Sequence, residues 1–328
     1  MLSTLLWGTV NLLGLVGLVR TVIYFVKLAQ IIKPELRKQK DLLQSYTTQE
    51  ERKEGVYAII TGSTSGIGLQ FAKELAVLGF DLVCISRNPK KLKDKEFEIR
   101  EYANKNINLK ILNIQKDFSQ MHTPGFYEDI ATQVENLNIA MLINSAGLVT
   151  KPLKGSELLD NDSQDLRNLV VVNCGAQSCL NHLLIPKFVQ RFEEKEVKSV
   201  IIDVSSLSAK GNFIGRATYG ASKGFNRMLT AGLSKKYSRE IEWMSLMPSS
   251  VRTPMIKHEV RTFDEITPQQ CVDGALKGLG VVRETAGGVG HFVLGIFADS
   301  NSFLANDFKP VYLKVFFTLK FLIENLIQ

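Results

Sequence analysis

The chain has 328 residues, 45% of them apolar and 22% charged, an ordinary globular composition with room for one large domain or two small ones. Its formal net charge of +7 suits an anionic partner such as a membrane surface or a phosphorylated ligand. No Lys/Arg cluster interleaved with aromatics stands out, so nucleic acid is not expected. Cys84, Cys174, Cys179 and Cys271 form no C-x-x-C pair, and His122, His182, His258 and His291 are scattered, so no metal site is expected either.

Residues 2–19 carry no charge. As a helix they would span about 27 Å, close to the roughly 30 Å of membrane hydrocarbon. The apolar character continues to residue 32, past Arg20 and Lys27, whose long side chains can snorkel toward headgroups. A cleaved signal peptide would want a basic start and a small-residue cleavage site, and neither is convincing. A soluble helix packed on the domain competes, but a membrane anchor over residues 1–33 is the expectation. Arg20, Lys27, Lys33, Arg37, Lys38 and Lys40 lie within or after the segment and none precedes it, so the positive-inside rule places the downstream chain in the cytoplasm. Residues 34–54 read as a charged linker or helical stalk.

Strand and helix patterns then alternate. Residues 56–61 are a short apolar run entering Thr61-Gly62-Ser63-Thr64-Ser65-Gly66-Ile67-Gly68, after which Ile67, Phe71, Leu75 and Leu78 recur at helical spacing. Further strands are expected at residues 80–86, 109–114, 140–144, 200–204 and 243–247, with a seventh at 291–296. Asn88-Pro89 and Thr267-Pro268 read as a cap and first helical residue. Such alternation indicates a parallel sheet covered on both faces, a doubly wound α/β domain over residues 55–300. Residues 301–328 form an apolar C-terminal segment interrupted by Lys309, Lys314, Lys320 and Glu324, read as an in-plane amphipathic helix, with a second span or a dimer-packing helix as alternatives.

The glycine-rich turn between a strand and a helix fits a nucleotide pyrophosphate, because glycine permits close backbone approach and the helix start favours anions. Its T-G-x-x-x-G-x-G spacing resembles the short-chain dehydrogenase/reductase family. Other marks follow in order: Asn144-Ser145-Ala146-Gly147 for N-N-A-G, with Ser145 departing; Asn173; Ser206; Tyr219 and Lys223 for Y-x-x-x-K; and Pro248 to Thr253 for P-G-x-V-x-T, with Ser249 in place of glycine. The N-terminal anchor and the Ile85-Ser86-Arg87 stretch are similar to the group holding very-long-chain 3-oxoacyl-CoA reductases and 17β-hydroxysteroid dehydrogenases types 12 and 3.

The resemblance implies a Rossmann-like fold and a membrane-bound, NADPH-dependent ketone reductase. Its lipid-like substrate would be a 3-oxoacyl-CoA of fatty-acid elongation or, alternatively, a steroid or retinoid, at the endoplasmic reticulum with the domain facing the cytosol. An inactive tethered nucleotide-binding scaffold is a further alternative, and a homodimer stays open. Tyr219 would give the proton, Lys223 would lower its pKa and hold the nicotinamide ribose, Ser206 would stabilise the alkoxide, and Asn173 would anchor a relay water. Gly62, Ser63, Ser65, Gly66, Ile67, Gly68, Asp117, Asn144, Val251 and Thr253 would contact the cofactor. No carboxylate follows the second strand to bind a ribose 2′-hydroxyl; Arg87 stands there and suits the 2′-phosphate of NADP. Ser205 reads as a strand-end residue. Arg252, Lys257, His258 and Arg261 would make a basic lid able to meet the phosphates of coenzyme A.

Overall fold

The computed structural model describes residues 42–104, 108–149, 157–210, 216–255, 265–288 and His291. The expected anchor, the C-terminal helix and lid residues Lys257, His258 and Arg261 lie outside the described residues.

Two short helices, α1 (Leu42–Tyr46) and α2 (Gln49–Glu54), precede strand β1 (Tyr57–Thr61). Helix α3 (Gly66–Val77), β2 (Asp81–Ser86), α4 (Pro89–Tyr102) and β3 (Ile111–Gln115) follow. The next elements are α5 (Phe126–Gln133), β4 (Ile139–Asn144), α6 (Glu157–Asp160) and α7 (Ser163–Val170). A π-turn at Val171–Gly175 joins α7 to α8 (Ala176–Lys195). Strand β5 (Ser199–Val204), α9 (Ala217–Lys236), β6 (Ile241–Leu246), α10 (Pro268–Gly278) and the two-residue β7 (Glu284–Thr285) complete the order among the described residues.

All pairings are parallel, in the order β3-β2-β1-β4-β5-β6-β7. Helices pack on both faces, as the alternating pattern demands. Ala58 and Ile60 of β1 point into one core with Phe71 and Leu75 of α3, while Ile59 joins the other with Leu180 and Phe188 of α8. Burial on both faces is why the strands read as unbroken apolar runs rather than alternating ones. Each such Leu, Ile or Phe contributes about 1.5–3 kcal/mol when fully buried. The caps stand at the expected positions: Asn88 accepts from the Lys91 N–H, and Thr267 forms a capping box with Gln270.

Three features were not anticipated in the sequence. From Leu42 on, the supposed linker is folded onto the domain: Leu42 and Tyr46 are buried, and Glu51 meets Arg191 of α8 at 2.7 Å. Of the strand expected at 291–296, all but His291 lies outside the described residues, and the last strand among the described residues is Glu284–Thr285. There the chain turns away at Gly287 (φ 73°), packed so tightly on α10 that a Cβ would sit 2.8 Å from the Cys271 carbonyl oxygen; His291 is helical. Finally, the helical run Ser163–Lys195 is long and apolar enough to cross a membrane by length and composition, yet half of its most apolar window is buried in the domain.

Candidate active site

The strand order reverses between β1 and β4. In an open parallel sheet that reversal opens a crevice at the carboxyl ends of the strands. The glycine-rich turn enters it from the end of β1. Gly62 (φ 67°) and Gly66 (φ 55°) take left-handed backbone conformations that other residues rarely adopt. A Cβ on Gly62 would lie 3.1 Å from backbone atoms of Ser145 and Ala146, and one on Gly66 would lie 2.8 Å from the Thr253 methyl. Gly68 approaches the turn from within α3, where a Cβ would reach the Gly62 carbonyl. The glycines thus let three segments from β1, β4 and β6 close on one another. Thr61, outside the expected site set, fastens two of them: its hydroxyl accepts from the Ser145 and Ala146 N–H groups at 3.0 and 2.9 Å. Ser65 stands at the start of α3, exposed, and makes no side-chain capping bond. The helix start therefore remains available to an anion. Ile67 packs against the core, and Ser63 is buried with its hydroxyl beside the Cys84 thiol. These residues fit a dinucleotide pyrophosphate through backbone rather than side chains.

At the end of β2, Ser86 bonds Thr64 of the turn at 2.9 Å, and Arg87 projects exposed beside exposed Lys90 and Lys91. Asp117 caps a short 3₁₀ turn, its Oδ1 accepting from the Ser119 N–H and hydroxyl. The Asn144 side chain lies in a buried polar cluster, its amide donating to Asn181 at 2.9 Å and to Asp203 at 2.8 Å. Burial pushes the Asp203 carboxyl up to about 6, against the hydrogen bonds from Thr230 and Asn144.

Tyr219 and Lys223 lie one turn apart on α9, both buried. Ser206 follows β5, and its hydroxyl lies beside the Tyr219 phenol while reaching the Pro248 carbonyl at 3.4 Å. Lys223 Nζ donates to the Val204 carbonyl at 2.8 Å and stands 5.9 Å from the centre of the Tyr219 ring. Asn173 sits in the π-turn rather than in regular helix, a local irregularity that often marks functional sites. Its side chain bonds both the Leu148 N–H, at 2.7 Å, and the Leu148 carbonyl, at 3.0 Å. A Cβ on Gly147 would lie 3.4 Å from both Asn173 Oδ1 and Lys223 Nζ, so these groups share one pocket wall. Ser222, a mere spacer in the Y-x-x-x-K pattern, ties the wall together. It accepts from Asn173 Nδ2 at 2.9 Å and donates to the Tyr219 carbonyl at 2.8 Å. Ser205 directly follows β5, and its hydroxyl donates to the Lys223 carbonyl at 2.7 Å. Val251 is buried and bridged to Ile266, and Thr253 faces Gly66.

Burial governs the electrostatics of the pair. It pushes the Tyr219 phenol up, opposed by the Ser206 hydroxyl and the Arg216 charge. Burial also pushes the Lys223 ammonium down, to about 8, against the pull of Cys174 and Asp203. Arg252, the one lid cation among the described residues, pairs with Glu265 at 3.2 Å.

A sequence profile of the short chain dehydrogenase family matches residues 56–263. The very-long-chain 3-oxoacyl-CoA reductase of Rattus norvegicus is 31% identical over 243 residues, covering 74% of each chain. The 17-beta-hydroxysteroid dehydrogenase type 3 of Danio rerio is 31% identical over 248 residues, covering 74% of this chain and 75% of that one. Among solved structures, a short-chain dehydrogenase from Sphingobium yanoikuyae in complex with NADPH superposes with a TM-score of 0.59 at 25% identity, covering 68% of this chain and 84% of that one. With the sheet order, the glycine-rich turn and the serine–tyrosine–lysine pocket in place, the chain belongs to the short-chain dehydrogenase family and is an oxidoreductase acting on CH–OH/C=O groups.

Proposed function

We propose that this protein is an NADPH-dependent ketone reductase whose substrate is a long-chain 3-oxoacyl-CoA. The observation that carries the reading is the meeting of Ser206, Tyr219, Lys223 and Asn173 at the crevice the glycine-rich turn enters. A bound nicotinamide dinucleotide supplies the hydride. Ser206 donates a hydrogen bond to the substrate carbonyl and stabilises the developing alkoxide. Tyr219, kept protonated by burial, gives the proton to that oxygen. Lys223 holds the ribose hydroxyls and, once an anion forms nearby, supplies the opposing charge. Asn173 orders the wall behind Lys223 and anchors the relay water. Gly62, Gly66 and Gly68 shape the pyrophosphate cradle, while Val251 and Thr253 line the nicotinamide side. Arg87, exposed at the end of β2 where NAD-binding folds carry a carboxylate, recognises the 2′-phosphate.

The substrate assignment rests on the relatives' named activity and on the cations of the segment after Thr253, which suit coenzyme A phosphates. We place residues 1–33 in a membrane as an anchor, residues 301–328 in its interface, and the catalytic domain on the cytosolic side of the endoplasmic reticulum. The similarity to a 17-beta-hydroxysteroid dehydrogenase keeps a steroid ketone as a second reading. NADPH oxidation by detergent-purified protein, measured against 3-oxoacyl-CoA chain lengths and 3- and 17-ketosteroids, tests both. Turnover of long-chain 3-oxoacyl-CoA supports the first. Turnover confined to ketosteroids supports the second, and nucleotide binding without turnover of any ketone points to an inactive scaffold.

A further inference from the structure

The loop after β6 is pinned at each of its bends. The Pro248 carbonyl accepts from the Leu207 N–H at 3.0 Å and lies 3.4 Å from the Ser206 hydroxyl. The Ser250 carbonyl and the Arg252 N–H pair with the backbone of Ile266 at 3.1 and 2.9 Å. Thr253 closes on Gly66. Between Pro248 and Ser250 the pin is a side chain from the far end of the domain: the Ser249 N–H donates to Nδ1 of His291 at 3.2 Å. His291 is fully buried. An imidazole nitrogen accepts only when it carries no proton, so this contact fixes the neutral Nε2–H tautomer.

We propose that His291 is a positioning residue of the active site. Its Nδ1 holds the Ser249 N–H and thereby sets both ends of the loop, the Pro248 carbonyl beside Ser206 and the Val251–Thr253 face against the glycine-rich turn. Without an acceptor at that point, Ser249 carries an unpaired amide in a half-buried loop, and the loop must shift to find one. The proposal depends on the reductase reading only in that the loop faces a dinucleotide.

Two isosteres separate the role from mere packing. In His291→Asn the amide oxygen falls near the Nδ1 position; in His291→Gln it reaches toward Nε2. His291→Leu keeps bulk and removes every acceptor. In full-length protein, hydrogen exchange over residues 247–253, measured without nucleotide, should remain at the wild-type rate in His291→Asn and accelerate in His291→Gln and His291→Leu. The NADPH Kd, from nucleotide fluorescence, should stay within about threefold in the Asn variant. It should rise about tenfold in the other two, the cost of one lost buried hydrogen bond. The ketone KM should change less than the NADPH Kd. Equal exchange in the Asn and Gln variants, or wild-type exchange in the Leu variant, would overturn the proposal. A wild-type protein that protects this loop yet binds no NADPH would instead overturn the cofactor reading and leave the pin standing. Should the Leu variant not fold, the Asn–Gln comparison decides alone.

Discussion

Tyr219 and Lys223 are buried titratable groups whose protonation states decide what the pocket can do. Burial raises the phenol, so Tyr219 holds its proton through neutral pH, as a donor must. The same burial lowers Lys223 to about 8, so its ammonium is lost first as pH rises. Because kcat/KM reports free-enzyme groups, it should fall through a limb near pH 8. A profile flat to pH 10 would contradict the assignment of that charge to Lys223. At this scale the sequence was informative wherever chemistry sits at fixed spacing along one element, as Tyr219 and Lys223 do on α9. It was silent on contacts made across elements. Ser222 bridges α9 to the π-turn, and Thr61 bridges β1 to the segment after β4. The N-N-A-G resemblance implies a cofactor contact for Asn144 but does not foretell that the buried Asp203, on the neighbouring strand, accepts from its amide.

The elements were legible where hydrophobic periodicity announced them, as in α3, or a cap did, as in α4, and not where few apolar residues decide the fold. Helices α1 and α2 sit in a charged stretch. They dock through Leu42, Tyr46 and one buried ion pair, and nothing local announces that pairing, since Arg191 is far along the chain. Arg191 forks onto Glu51 at 2.8 and 2.7 Å and also donates to the Tyr46 carbonyl and the Ser199 hydroxyl. Removing one partner strands the other in the interior, so Glu51→Gln should cost about 3–5 kcal/mol in urea unfolding. The pair also links stability to acid. Burial alone would raise the Glu51 carboxyl, but Arg191, Thr48 and Lys195 hold it at about 2, below the ordinary 4.5. Its contribution is therefore complete above about pH 4.5 and lost as pH falls toward 2. Glu51→Gln should flatten the stability loss in that window. An unchanged acid profile would show that the pair does not govern it.

Across the whole molecule, the docked N-terminal helices and the active site occupy opposite edges of the sheet. The Glu51–Arg191 pair lies where β1 and β5 begin, and the Ser206–Tyr219 pocket lies where β4, β5 and β6 end. A strand of this length separates the two edges by about 20 Å. The polypeptide thus joins the domain away from the chemistry. Deleting residues 1–33 should leave a folded, active domain with weaker membrane attachment. Deleting residues 1–54 should expose Arg191 and lower the Tm by well over 5 °C. Equal Tm values for the two truncations would remove the docking role of α1 and α2. The nucleotide preference belongs to this scale too, because Arg87 and the glycine-rich turn converge from β2 and β1. Arg87→Asp should reverse or flatten a preference for NADPH over NADH by replacing attraction with repulsion at the 2′-phosphate. A wild-type protein using both nucleotides equally would contradict it.

The reductase reading stands or falls on one phenolic oxygen. The direct measurement is NADPH consumption with a long-chain 3-oxoacyl-CoA by wild-type protein and by Tyr219→Phe, with NADPH binding followed in the same preparations. Phe keeps the ring packed in its buried position and removes the proton donor, so NADPH affinity and Tm should survive. Turnover should fall by about 10²–10⁴, the range of a general acid. A Tyr219→Phe protein that binds NADPH and retains most of the wild-type rate would contradict the reductase mechanism.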